Sequence, residues 1–470
     1  MNVSRRTVIA STLSAAATGL GLTRALGEAV PPTVLQLQRR NIEVNGKSAS
    51  VYGIRQPDGT FGITTSVGER FRVRVENQID GPSLIHWHGL TPPWRQDGVP
   101  GISGPRIQPG GSADYDFPLR FGGTFWMHSH EGFQEQLLMS APLIIRDPRD
   151  ESDRQEIVLM LRDFSFAPPD EIYAALKKPK TMSAMGDKPA SGMSMAGAVA
   201  EPDLNDVAYD AFLANDRTLA DPEAIKVEPG GRVLLRVING SSMSNFHVDL
   251  GSLKGELIAV DGFLVKPVSA SRFPIAVAQR LDIRLAIPGG AAAYRVLAIL
   301  EGSARQTGIV ISAGAGTIGR ISDMAEQPSP ALSLDLERGL EALAPLAPRK
   351  ADRAYTLNLT GDMANYVWSI NDVAWTKDVP PLQVSEGERV ELALVNKTPM
   401  PHPMHLHGHE FQVVEIDGQR IAGAVRDTIL VRPAGRVVVV FDANNPGWWA
   451  FHCHLLYHLE AGMFTTFRYV

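Results

Sequence analysis

Eleven of the twelve histidines in this 470-residue chain fall into four tight clusters. Four His-x-His units stand out: His86/His88, His128/His130, His405/His407 and His452/His454. In an extended strand, residues i and i+2 point to the same face, so each unit aims two imidazoles at one place. One such pair arises on a surface strand by chance. Four of them, at matching positions of two repeated segments, point to metal. Eight imidazoles exceed what one tetrahedral zinc takes, and suit a cluster of about three metals with two or three His each. Imidazole accepts Zn, Cu, Fe and Ni, so these residues alone leave the metal open.

The single cysteine narrows the choice. Cys453, His458 and Met463, spaced by four residues each time, resemble the copper loop of a blue-copper domain, and His402 completes a His₂Cys trigonal site with a weak axial Met. Cys453 lies on the opposite strand face from His452 and His454, so one short stretch ties the blue-copper site to the multi-metal cluster, over about three residues of strand or ~10 Å. The competing reading of Cys453 is a buried small hydrophobe. A lone cysteine also excludes a disulfide framework, a Cys-rich zinc site and a CxxC redox pair.

These side chains need rigid strands to aim them. Helical periodicity is scarce, and most of the chain alternates apolar and polar residues in short runs such as Arg70–Val75, cut by Gly, Pro, Asn and Asp. That pattern reads as β-sandwich. Three segments follow one plan: 72–77 leads into His86-Trp87-His88-Gly89, 235–239 into Asn245–Leu250, and 392–396 into His405-Leu406-His407-Gly408. The closing strands repeat too, at 124–130, 293–297 and 449–454. The expectation is an all-β chain of three sandwich domains at 33–148, 203–315 and 350–470, a number that the length also suggests. A Met-rich linker at 177–202 and a segment at 323–350 with a helix-like run, Leu332 to Leu343, join them. The middle copy offers only His247 with Asp249, then Val296 and Ala298, so a shared site is expected between the first and third domains.

The charge balance, 45 basic against 51 acidic residues, gives no electrostatic support for a nucleic-acid partner. Residues 1–29 read as a twin-arginine signal: Ser4-Arg5-Arg6-Thr7, then an Ala-rich apolar run too short and Gly-broken for a membrane span. Its removal leaves a net charge of −8 and implies an exported, periplasmic protein.

Taken together, His86-Trp87-His88-Gly89, His128-Ser129-His130, His402-Pro403-Met404-His405-Leu406-His407-Gly408 and His452-Cys453-His454 through Met463 resemble the multicopper oxidase family, laccase-like and bacterial copper-resistance members among them. The resemblance implies cupredoxin-like Greek-key domains and four copper ions. His402, Cys453, His458 and Met463 would hold the type 1 copper, and His86 and His405 the type 2. His88, His128 and His454 would hold one type 3 copper, and His130, His407 and His452 the other. The implied reaction oxidises a phenol, an aromatic amine or Cu(I) at the type 1 copper and reduces O₂ to water at the trinuclear centre. The edge of His458 would be the port for substrate electrons. Asp97, nine residues after His88, stands where relatives carry an acid near the type 2 copper and is read as a proton relay; the alternative is a plain Asp-Gly turn. Met182, Met185, Met193 and Met195 carry thioethers suited to Cu(I), and Phe133-Gln134-Glu135-Gln136 resembles the copper-resistance oxidases. The competing function is a periplasmic copper-sequestering protein with incidental oxidase activity, serving copper tolerance.

Overall fold

Short alternating runs bury one face each when extended, and each such face needs a second sheet to cover it. The computed structural model describes residues 31–147, 153–178, 204–317 and 319–470. The expected export signal and the four methionines of the linker lie outside the described residues. The folded body, Thr33–Val470, builds six sheets among the described residues that pair along the chain into three sandwiches. The fold is all-β, with three β-sandwich domains, as the alternation and the repeats led one to expect, and they are the cupredoxin-like Greek-key domains that the resemblance implies.

The repeat has a visible cause. In each sandwich the first long strand pairs in parallel with the strand that leads to the histidine position: Thr33–Val44 with Arg70–Asn77, Gln155–Phe164 with Arg232–Asn239, and Arg353–Asp362 with Arg389–Asn396. Each of these second strands ends in a buried Asn. Its Oδ1 accepts the backbone N–H two residues on, at Ile79, Ser241 and Thr398. Its Nδ2 donates to backbone carbonyls beyond the turn, including Ile107, Ser244 and Met400. This Asx turn satisfies the buried chain as it passes from one sheet to the other.

The second sheet of each sandwich then holds an antiparallel pair: Ile85–His88 with Gly123–Ser129, Phe246–Asp249 with Ala292–Leu300, and His402–Leu406 with Trp448–Cys453. Register sets His86 directly opposite His128, and His405 opposite His452. In the middle copy His247 faces Ile299. The positions that match the second His-x-His are therefore Ile299 and Glu301, not Val296 and Ala298 as the sequence suggested. The miscount arose because strand Ala292–Leu300 is long and no histidine marks its register.

The middle sandwich also takes in strand Gln155–Phe164, through the parallel register Leu235↔Ile157, upstream of residue 203 where the sequence reading opened that domain. Its middle, Ile157–Leu161, is an apolar run without a motif to tie it to its sheet. After it the chain leaves through helix Pro169–Leu176 and rejoins the sheet at Ala211–Ala214. The helix-like run at 332–343 is the one-turn helix Asp335–Gly339.

Candidate metal centre

Each His-x-His strand reaches the boundary between the first and third sandwiches with its imidazoles inward. The predicted ligand atoms gather into sets that lie within 4.8 Å of one another: His88/His128/His454, His130/His407/His452, His86/His88/His405, and separately His402/Cys453/His458. Rings from different domains stack face to face, His88 on His405 at 3.7 Å and His86 on His407 at 3.9 Å. The sequence set of eight imidazoles is thus brought together in one buried cluster.

The hydrogen bonds on the outer nitrogens decide which nitrogen faces inward. His86 Nδ1 donates to the Asp97 carbonyl at 2.9 Å, and His405 Nδ1 donates to the Asp427 carbonyl at 2.9 Å. His452 Nδ1 donates to the Cys453 carbonyl at 2.9 Å, and His407 Nδ1 to the Asp97 carboxylate at 2.9 Å. Because these partners only accept, the proton sits on Nδ1 and each Nε2 presents a lone pair. Glu135 does the same for His128, with Oε2 2.8 Å from Nδ1. His88 is turned the other way: its Nε2 reaches Asp427 Oδ1 at 3.1 Å, which leaves Nδ1 inward.

The inward atoms lack partners. His86, His128, His405 and His454 each leave Nε2 buried without a hydrogen bond, and His88 leaves Nδ1 so. His407 and His452 point two Nε2 lone pairs at each other across 2.9 Å. Buried polar atoms are ordinarily satisfied, and facing lone pairs repel unless a cation lies among them. Burial, with the neighbouring imidazoles, drives His88, His130, His407, His452 and His454 well below the ordinary histidine range. They are therefore neutral, the form that binds metal. Such a donor set suits copper.

The second site lies on the other face of strand Trp448–Cys453. His402 Nδ1 is 3.6 Å and His458 Nδ1 3.9 Å from Cys453 Sγ, and the two nitrogens are 3.2 Å apart. Met463 is fully buried, and its carbonyl accepts the Cys453 N–H at 3.0 Å. Burial pushes the Cys453 thiol well above its usual range, so a thiolate here requires a cation beside it. Outer nitrogens are again held: His402 Nε2 by Thr398 Oγ1 at 2.7 Å, His458 Nε2 by Asp206 Oδ2 at 2.9 Å. Trp368 stacks on His458 at 3.9 Å, and Tyr366 donates its hydroxyl to Asp206 at 2.6 Å.

His458 is fully buried, and Asp206, Tyr366 and Trp368 pack around its ring. Asp97 lies inside the cluster, with no exposed surface and with His86 and His407 both on its carboxylate. Four functional side chains were not singled out from the sequence: Glu135, Asp206, Thr398 and Asp427. Glu135 stood inside a quoted motif, whereas single acidic or hydroxyl residues elsewhere carry no spacing signal. Glu460, raised by burial and by Glu131, lines a small cavity with His128, His130, His452 and His454. His409 is buried and its Nδ1 holds the His407 carbonyl at 3.1 Å, while His247 pins the Pro330 carbonyl at 3.1 Å.

Profiles described as multicopper oxidase match residues 36–150, 156–312 and 348–470. The chain is 31% identical to multicopper oxidase MmcO of Mycobacterium tuberculosis, over 87% of this chain and 81% of that protein. It is 28% identical to a copper resistance protein A homolog of Pseudomonas syringae pv. tomato, over 99% of both. Among solved structures, Fet3p, titled as a multicopper oxidase that functions in iron import, shares the fold with a TM-score of 0.78 at 20% identity, covering 93% of this chain and 90% of that one. The chain belongs to the multicopper oxidase family. It is a copper-dependent oxidase, from a family that uses O₂ and a donor. Among the described residues no helix is long and apolar enough to cross a membrane.

Proposed function

We propose that this oxidase couples one-electron oxidation of its donor to the four-electron reduction of O₂ to water, with four coppers. His402, Cys453, His458 and Met463 hold the type 1 ion, and His86 with His405 the type 2. His88/His128/His454 and His130/His407/His452 hold the type 3 pair. Bound copper supplies one-electron acceptance at the first site and the electrons for O₂ at the cluster. The reading rests above all on strand Trp448–Cys453, whose His452 and Cys453 belong to the two different groups of close ligand atoms. The chain's own residues do the rest. Buried walls exclude water, Asp427, Glu135 and main-chain carbonyls orient the imidazoles, and Asp97 carries protons toward the cluster from a carboxylate already bonded to His407. A copper-sequestering protein would need the ligands but not this electron bridge.

On the donor side, Asp206 places a carboxylate on His458. Met195 and Met193 precede it by eleven and thirteen residues in the sequence, and their thioethers suit Cu(I). This favours Cu(I) over a phenol or aromatic amine as the donor, in line with the name of the copper resistance relatives. Residues 1–29 act as a twin-arginine signal, placing the protein in the periplasm.

Copper-loaded protein is expected to be intensely blue and to consume O₂. Cys453→Ser is expected to lose both the colour and the turnover; a variant that kept either would overturn the type 1 assignment. Deleting residues 180–197 is expected to slow Cu(I) oxidation while sparing a bulky phenol, and unchanged Cu(I) oxidation would remove the thioether role.

A further inference from the structure

The middle sandwich holds none of the ligands, yet it reaches the cluster through Arg280. This residue opens strand Arg280–Ala286 and is fully buried. A guanidinium has five N–H donors in a fixed fork, and here all five are used. Nε donates to the Thr124 carbonyl at 3.1 Å, Nη1 to the Ala278 carbonyl at 3.0 Å, and Nη2 to the Asp261 carbonyl at 3.0 Å. The remaining two grip Asp427, Nη1 on Oδ1 at 2.9 Å and Nη2 on Oδ2. One side chain thus ties the closing strand of the first sandwich, the body of the second and an acid of the third.

That acid faces the cluster. Asp427 Oδ1 takes His88 Nε2–H at 3.1 Å and the Thr428 hydroxyl at 2.8 Å, while its carbonyl takes His405 Nδ1–H. The backbone following His88 is shaped to the same pair. Gly89 has φ +88°, and a Cβ there would lie 2.5 Å from Arg280 Nη2 and 2.8 Å from Asp427 Oδ2. A side chain at the glycine of His-Trp-His-Gly would therefore push the ion pair away from His88.

We infer that Arg280 is a positioning residue of the trinuclear site: by clamping Asp427 with both carboxylate oxygens fixed, it holds His88 in the Nε2–H form and turns its Nδ1 to the metal. The middle sandwich is then a working wall of the cluster rather than a spacer. The inference rests on the copper reading above. Its distinctive content is that the orientation of His88 depends on a residue from a domain without ligands.

Removing Arg280 alone leaves a buried, uncompensated carboxylate, which is strongly destabilising. The informative variant is Arg280→Met/Asp427→Asn, in which no charge is stranded. With copper added, it is expected to keep the blue type 1 band. Its type 2 and type 3 copper should be lost to a chelator ~10–100-fold more readily, the usual effect of an outer partner on metal affinity, with an altered type 2 electron paramagnetic resonance spectrum. Arg280→Lys keeps the charge without the fork and should show the same spectral change. A double variant with the full copper complement and a wild-type spectrum would overturn the inference. Wild-type protein that took up type 1 copper but no cluster copper would instead overturn the underlying ligand assignment, and this inference with it.

Discussion

Asp97 shows how one side chain can serve two ligands at once. Its carboxylate takes His407 Nδ1–H at 2.9 Å and lies 3.2 Å from His86 Nδ1, and its carbonyl takes His86 as well. It therefore fixes an imidazole of the proposed type 2 pair and one of the type 3 set, from inside the protein. Asp97→Ala removes the acceptor of the His407 N–H and the proposed proton carrier together. Outer partners of metal ligands typically contribute 10–100-fold, so O₂-driven reoxidation should slow by about that factor. Anaerobic reduction of the type 1 copper, measured by stopped flow, should stay at the wild-type rate, because the cysteine site does not touch Asp97. Equal slowing of both half-reactions would show that Asp97 supports the fold rather than the cluster. At this scale the histidine clusters were legible because a two-residue strand period leaves a mark in the sequence. Their outer partners were not: Asp427 reaches His88 across 339 residues and Asp206 reaches His458 across 252, and no local pattern announces such a meeting.

The strand pairs turn those residues into a site, and glycine controls how closely they pack. Gly408, which closes the His405-Leu406-His407-Gly408 motif, has φ +66°, and a Cβ there would sit 2.3 Å from the Trp449 ring. Trp449 is fully buried on the strand that carries His452 and Cys453, so it has no room to yield. Gly408→Ala combines a left-handed backbone with a clash and should cost about 1–3 kcal/mol, read as a lower thermal unfolding midpoint. It should also loosen copper, since displacement of Trp449 moves the strand between the two sites. Unchanged stability and copper content would mean that the ring can move aside. Element boundaries followed the legibility of their markers. The Asn-ended strands and His-bearing pairs stood where the repeats suggested. Strand Gln155–Phe164, apolar throughout its middle and without a motif, was assigned to no domain.

Over the whole molecule, the cluster sets how the protein tolerates acid without metal. Burial above all, with mutual repulsion of the imidazoles, holds His88, His130, His402, His407, His452 and His454 well below the ordinary histidine range. Below about pH 6.5 an unfolded chain protonates these groups, whereas the folded apo-protein does not until its own depressed values are reached. The unfolded state then binds more protons, so stability falls as pH falls through that window. Each such group contributes up to ~1.4 kcal/mol per pH unit. Several acting together should make the copper-free protein lose its resistance to denaturant steeply between about pH 6.5 and pH 5. Chemical denaturation of copper-stripped protein at a series of pH values tests this. A slope below that of a single proton would mean that the apo-cluster opens and hydrates its imidazoles instead of keeping them buried. Copper-loaded protein should hold its midpoint to lower pH than the stripped form, because the metal occupies the lone pairs that protons would otherwise take on unfolding and must be released before they can.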